Sequence, residues 1–237
     1  MLLQYLFVIF VLGFGMYWSV KKNKLTEAGA LTGGLLGLAI FQGAGFTGLT
    51  MLALFFVLGT GATAWQHNYK ARLGLAEENK GRRTAHQAFA NAGVAAMLGL
   101  LACLFPGQAE LFCLMLAAAF AAATADTVSS ELGNLYGKRF YNILTLQPDQ
   151  RGLNGVISLE GTLLGLGGSS LIGLLYAMGF GWNGNIFIVI LAGTIGNITD
   201  SLLGATLERR HLLSNNQVNF LNTAAGAFAA CILYLLT

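Results

Sequence analysis

Eight apolar runs, at about residues 2–20, 28–45, 46–65, 86–105, 109–128, 155–178, 184–204 and 218–236, constrain this chain more than any other feature of its sequence. Each approaches the length a helix needs to cross roughly 30 Å of hydrocarbon. A helix also satisfies its own backbone hydrogen bonds where no water can do so. Of the 237 residues, 55% are hydrophobic and 10% charged, too little polar surface to wrap a water-soluble globule. Two prolines beside 32 glycines exclude collagen. Cys103, Cys113 and Cys231 sit inside apolar runs without C-x-x-C spacing, so neither a disulfide framework nor a thiol-metal site is indicated. The expected fold is an all-α integral membrane protein of about eight transmembrane helices. Because the second and third runs are parted only by Gln42-Gly43-Ala44-Gly45, seven is the alternative count.

All 13 basic residues fall in four stretches: Lys21 to Lys24, Lys70 to Arg83, Lys138 to Arg151, and Arg209-Arg210. With eight spans these become the first, third, fifth and seventh connections, all on one side. The positive-inside rule makes that side cytoplasmic and puts both termini outside. The first run lacks a basic n-region and is followed by lysines, so it reads as an anchor, not as a cleaved signal. The outer connections, near 42–46, 105–109 and 179–185, are short, and Glu110 is their only acid. The loops near 66–85, 134–154 and 205–217 are too short to be domains, so residues 1–237 read as a single polytopic membrane domain, with its chemistry on the cytoplasmic side. Acid-ended small-residue runs at Ala121 to Asp126 and Gly193 to Asp200 form a weak internal echo.

A charged side chain inside a span costs roughly 2.5–3.5 kcal/mol on insertion scales, so four acids need an explanation: Asp126, Glu131, Glu160 and Asp200. Asp126 and Ser130 are four residues apart on one helical face, with Ser129 three from Asp126, and Ser201 follows Asp200. Carboxylates and hydroxyls suit a hard cation such as Mg²⁺, which completes its shell with water and substrate phosphates. The simpler alternative sets these acids at headgroup depth, paired with Lys138, Arg139 or Arg209. Lys80, Arg82 and Arg83 could neutralise phosphate, although a basic cluster is also an ordinary topology signal. The stretch Arg151 to Gly161 joins an arginine, the flexible Asn154-Gly155 and the acid Glu160, and its glycines would let backbone amides approach an anion. Gly161 and Gly165 fit close helix packing equally well. The G-x-G-x-x-G match at Gly43 to Gly48 has no strand before it, so it is not a dinucleotide site.

The motifs Ala125-Asp126-Thr127-Val128-Ser129-Ser130-Glu131-Leu132-Gly133, Arg151 to Gly161, Asp200 to Thr206 and Asn216 to Asn222 together resemble the domain-of-unknown-function family ninety-two. That family includes transmembrane protein nineteen and phytyl-phosphate kinases. Asn79 to Arg83 and Gln87 to Gly93 fit as well, so the resemblance covers most of the chain after its first run. It implies a kinase that converts an isoprenoid (phytyl or prenyl) monophosphate into its diphosphate with Mg²⁺ and a nucleoside triphosphate, CTP or ATP. On that reading Asp126, Glu131 and Asp200 hold the metal. Lys80, Arg82, Arg83 and Arg151 meet phosphates, and Asn91, Ser129, Ser130, Asn154, Gly155, Glu160, Ser201 and Asn219 line the substrate site. Val128 and Ser129 stand where the family more often has tryptophan and alanine, which bears on substrate fit. The partners implied are the lipid phosphate, the nucleotide and the bilayer, and no nucleic acid. The alternative is an ion-coupled transporter using the same acids. A carrier needs access from both sides, and the nearly uncharged outer connections give no sign of an outer vestibule.

Overall fold

The computed structural model describes residues 2–75 and 81–237. Lys80 therefore lies outside the described residues. Among the described residues, seven helices are long and apolar enough to cross a membrane. They are α1 (Leu2–Lys21), α2 (Glu27–Ala64), α4 (Ala85–Leu104), α5 (Ala109–Tyr136), α6 (Leu159–Phe180), α7 (Asn185–Leu203) and α8 (Asn215–Leu235); the short α3 (His67–Arg72) follows α2.

The 38 residues of α2 are not one rod. Gly45 has φ 57° and ψ −147°, a region open essentially to glycine alone, and there the helix folds back on itself. A Cβ placed on Gly48 would sit 2.7 Å from Ile40 Cγ2, and one on Gly37 would sit 3.4 Å from Leu52 Cδ2. Residues eight and fifteen apart meet in this way only if the two halves run antiparallel. Phe41 and Phe46 pack edge to face across the turn at 5.2 Å, and Tyr5 of α1 donates to Gln42 Oε1 at 2.8 Å. The hairpin base is tied to the chain before α4, where Thr26 N donates to Arg83 O at 2.9 Å and Arg83 N to Lys24 O at 3.0 Å. Folded this way, the chain makes eight alternating segments, with the basic stretches at one end of the bundle and both termini at the other. Gly45→Ala is expected to lower stability by about 1–3 kcal/mol, read as a drop in the thermal unfolding midpoint in detergent. An unchanged midpoint would show that the turn tolerates a side chain.

The centre of the bundle is α5, which contacts α2, α4, α6, α7 and α8. From Leu116 to Ala123 its side chains are wholly buried, and most are alanine, which lets neighbouring backbones come close without relying on a hydrophobic drive that lipid does not supply. Gly133 of α5 faces Gly161 of α6 so closely that a Cβ on Gly133 would lie 2.7 Å from Gly161 Cα. The sixth span begins at Leu159 and not at 155. Residues 155–158 belong instead to the loop, where Val156–Ile157 (β2) pairs antiparallel with Tyr141–Asn142 (β1) and Ser158 caps α6 by accepting from Gly161 N at 3.1 Å. The fifth span likewise extends past 128 to Tyr136, carrying the Asp126 to Glu131 motif on continuous helix to the basic end. After α7 the chain widens into a π-helical turn, Gly204–Glu208, before α8.

Candidate functional site

Two α-helices, α5 and α7, each bring an aspartate to the same point near the basic end. The carboxyl groups of Asp126 and Asp200 lie within hydrogen-bonding reach of one another. Asn222 of α8, fully buried, donates from Nδ2 to Asp200 Oδ2 at 3.4 Å, while its Oδ1 has no partner among the described residues. Ser129, one turn beyond Asp126, donates to Asn197 Oδ1 at 3.1 Å and so joins α5 to α7 beside the pair. Two carboxyls in contact repel when both are ionised, so such a pair is stable with a shared proton or a bridging cation.

The pair forms part of the wall of a cleft of about 600 Å³ between α5, α6, α7 and the 140–157 loop. Ser129, Ser130, Glu131, Asn154, Gly155 and Ser201 line the same cleft. A smaller polar pocket of about 80 Å³ lies on the other side of Asp126, bounded by Arg83, Asn91, Ser130, Asn215 and Asn219. The structure thus gathers Asp126, Glu131, Asp200, Arg83, Asn91, Ser129, Ser130, Asn154, Gly155, Ser201 and Asn219 around two adjoining cavities. Arg83 is buried, its guanidinium carbon 5.1 Å from the Phe55 ring centroid, where its charge acts on Asp126.

Other expected residues stand elsewhere. Arg82 donates from Nε to Leu25 O at 3.0 Å and braces the hairpin base. Glu160 accepts from the Lys138 backbone amide at 3.4 Å at the start of α6. Glu131 pairs with Lys70, a residue the sequence reading took only as part of a basic loop. Lys70 is buried, and its Nζ also donates to Ala62 O and Thr63 O, both at 2.9 Å. Those carbonyls belong to the last turn of α2, which has no helical donors for them, so the ammonium caps a helix end and neutralises Glu131 together. Among the described residues no group of three His, Cys, Asp or Glu side chains is arranged to hold a metal. Of the three acids expected to hold a metal, Asp126 and Asp200 approach one another, and Glu131 is engaged by Lys70. Five residues along an α-helix rotate a side chain about 140° away, which is why Glu131 cannot share Asp126's direction. Gly155, with φ 72°, packs directly against the Ala205 backbone, so its missing side chain serves loop packing first.

One further group, Glu208, emerges only in three dimensions, while Arg151 keeps the place expected of it near phosphate chemistry. Glu208, at the end of the π turn, lines the large cleft and acts electrostatically on both aspartates. Arg151 stacks its guanidinium over Phe140 at 5.6 Å, and its buried Nε and Nη2 have no hydrogen-bond partner among the described residues. A buried guanidinium lacking acceptors is costly, and an anionic ligand would supply them.

The loop roofing the cleft is pinned by Arg209, whose Nη2 donates to Asp149 Oδ2 at 2.8 Å. Arg209 is thus engaged by a loop acid. That hydrogen bond first, then those from the Gln150 amide and Asn142, hold the Asp149 carboxyl below its usual value of 3.8. A depressed folded value means the clamp stabilises the loop fully above pH 3.8 and releases it as the pH falls through and below that point. The protection of the 139–158 amides against hydrogen exchange, taken relative to the intrinsic rate at each pH, is expected to fall below about pH 4 in the native protein. In Asp149→Asn that pH dependence should be absent; an identical profile would assign the loop's order to other contacts.

The sequence model of a family described as "Integral membrane protein DUF92" matches residues 10–227. An uncharacterised membrane protein of Synechocystis is 34% identical over 212 residues, covering 88% of this chain and 82% of that protein. The protein VTE6, chloroplastic, of Arabidopsis thaliana is 31% identical over 233 residues, 95% of this chain and 69% of its own. An uncharacterised membrane protein of Methanocaldococcus jannaschii is 32% identical over 225 residues, 91% and 88% of the two chains. No solved structure matches.

Proposed function

We propose, since this chain belongs to the integral membrane protein family DUF92, that it is a membrane-embedded kinase that extends an isoprenoid monophosphate to its diphosphate at the expense of a nucleoside triphosphate. The observation that carries this reading is the approach of Asp126 and Asp200 at the wall of a cleft, with Arg83 in the small pocket that adjoins it. In the reaction an oxygen of the lipid monophosphate attacks the γ-phosphorus. One P–O bond forms, the bridging P–O bond to the β-phosphate breaks, and the nucleoside diphosphate leaves. The acceptor is already anionic at neutral pH, so no protein nucleophile is needed; the work is positioning and charge stabilisation.

The residues present suit Mg²⁺, which commonly takes one or two carboxylates and leaves its other positions to water and phosphate. Asp126 and Asp200 would hold it, and when bound it would screen the charge between donor and acceptor phosphates. Arg83 stands where it can neutralise phosphate in the smaller pocket, and Arg151 where an anion would complete its hydrogen bonds. The positive-inside bias makes the basic end cytoplasmic, the compartment that holds nucleotides. A carrier would need openings on both faces, whereas the cavities that carry this reading open toward the basic end.

The test is to incubate purified protein in detergent with Mg²⁺, prenyl monophosphates of several lengths and, in turn, ATP, CTP, GTP and UTP, and to look for prenyl diphosphates by mass spectrometry. Product that disappears in Asp126→Asn supports the kinase and identifies its donor. Folded protein yielding none with any donor overturns it.

A further inference from the structure

At the same basic end of the bundle as the acid pair, but on other helices, lies a third cavity. It is a groove of about 630 Å³ between α2, α4 and α8, with Thr32 as the α2 wall. Its main surfaces are Phe89, Ala90, Phe220 and Leu221, and its polar members His86, Asn216 and Gln217 all sit in the first turn of α4 or α8. The groove is thus polar-edged at the basic end and apolar deeper in.

The neighbouring residues on the same two helices face the other way. Gln87 and Asn91 of α4, with Asn215 and Asn219 of α8, line the small polar pocket that contains Arg83 and Asp126. Between the two cavities the rings of Phe89 and Phe220 are stacked, with centroids 5.9 Å apart and planes 5° from parallel. One seam, the contact of α4 with α8, therefore separates an apolar groove from an amide-lined pocket that holds Arg83 together with the carboxyls of Asp126 and Glu131. Only an amphiphile with an anionic head and an apolar tail has use for both.

We infer that this groove seats the tail of the lipid-phosphate acceptor, so that the acceptor enters sideways from the bilayer between α2 and α8. The Phe89–Phe220 stack then marks where head parts from tail. This rests on the kinase reading and adds to it which cavity belongs to which substrate. The acceptor's phosphate occupies the small pocket with Arg83, and the large cleft, part of whose wall is the Phe140 that Arg151 stacks on, is left to the nucleotide. A volume of about 600 Å³ lies in the ordinary range for a ligand of nucleotide size. The groove's apolar lining suits a branched hydrocarbon better than a nucleotide, and because the tail comes from lipid its selection rests on shape. Because the groove opens toward lipid, a tail longer than the groove continues into the bilayer. The first isoprene units are then the ones the protein reads.

A prenyl monophosphate carrying a diazirine near its phosphate end tests this directly, without turnover. The full-length protein in nanodiscs is irradiated with the probe, with and without excess unlabelled prenyl monophosphate, and the labelled peptide is mapped. Labelling of α4 near Phe89 or α8 near Leu221 that the competitor suppresses supports the assignment. Competed labelling on α6 or α7 overturns the groove while leaving the kinase intact. Labelling equal with and without competitor, or suppressed equally by a two-chain phosphatidic acid, shows an ordinary lipid contact and also overturns it. Failure of the kinase itself reads differently: competed labelling in the groove, with no diphosphate formed from any donor.

A second variant reads specificity. Leu221→Trp narrows the groove without touching the polar pocket. It is expected to lower kcat/KM for a branched prenyl phosphate about tenfold relative to a straight-chain alkyl phosphate of equal length, the discrimination a pocket commonly gains from small differences in shape. Equal losses for both substrates would place the tail elsewhere.

Discussion

Replacing Asp200 by Asn is expected to lower kcat by roughly 10²-fold or more, the scale seen when one preorganised electrostatic group is removed from an active site. The substitution keeps the shape of the side chain, and its amide oxygen can still accept from Asn222 Nδ2, so the packing of α7 against α8 is preserved. What is lost is one of two negative charges that face each other at the end of the cleft. Asp126→Asn removes the other and should cost a similar factor. If the two act as one unit, the double variant falls little further than either single one, because residues that share a task are not additive. Initial rates of diphosphate formation, with the thermal midpoint as a control for folding, decide the matter. Wild-type rates in either variant would remove the aspartate pair from the chemistry.

Glu131→Leu should destabilise the protein by about 3–5 kcal/mol, because it leaves the Lys70 ammonium buried without a counter-charge. The ion is 1% exposed, and the two carbonyls of α2 that remain can solvate it only in part. Adding Lys70→Met removes the stranded charge and should return most of the loss, since an apolar pair of similar volume is often as stable as a buried ion pair. Thermal unfolding of the two single variants and the double variant completes the cycle. A Glu131→Leu protein as stable as wild type would mean the pair contributes nothing. The double variant also separates two roles for Glu131: if it is folded and active, the acid is structural, and if it is folded and inactive, the carboxylate acts in the cleft it lines.

How much of this was legible in the sequence depended on distance along the chain. The hairpin could be read locally, since Gln42 to Gly45 break an otherwise continuous apolar stretch and only a reversal there accounts for two short runs in place of one long one. Asp126 and Asp200 could be read as partners because each closes a small-residue run at the same depth. Glu131 stands about 140° around the helix from Asp126, a separation that spacing alone exposes. Its real partner, Lys70, is 61 residues away in a loop whose lysines and arginines looked interchangeable, and nothing local marks it as the buried one. Glu208 was hidden by backbone geometry. On an ideal α-helix it would stand about 80° around from Asp200. The π turn, with more residues per revolution, brings it back over the cleft. The apolar groove left no trace, because Phe89 and Phe220 belong to different spans and look like any lipid-facing aromatic.

The reversal at Gly45 also bears on how the protein is made. The two halves of α2 are joined with no hydrophilic segment between them, so no polar stretch is carried across the bilayer to fix one half before the other. The first half cannot pause as a finished anchor while the second is synthesised; the pair must leave the insertion machinery together, as one wedge. The contacts of Thr26 and Lys24 with Arg83 close the open end of that wedge only after some twenty further residues have emerged. Until then the hairpin is held by its own aromatic turn and by α1. Lesions near Phe41 and Phe46 should therefore show first as failed biogenesis, in protein that would have been stable once assembled.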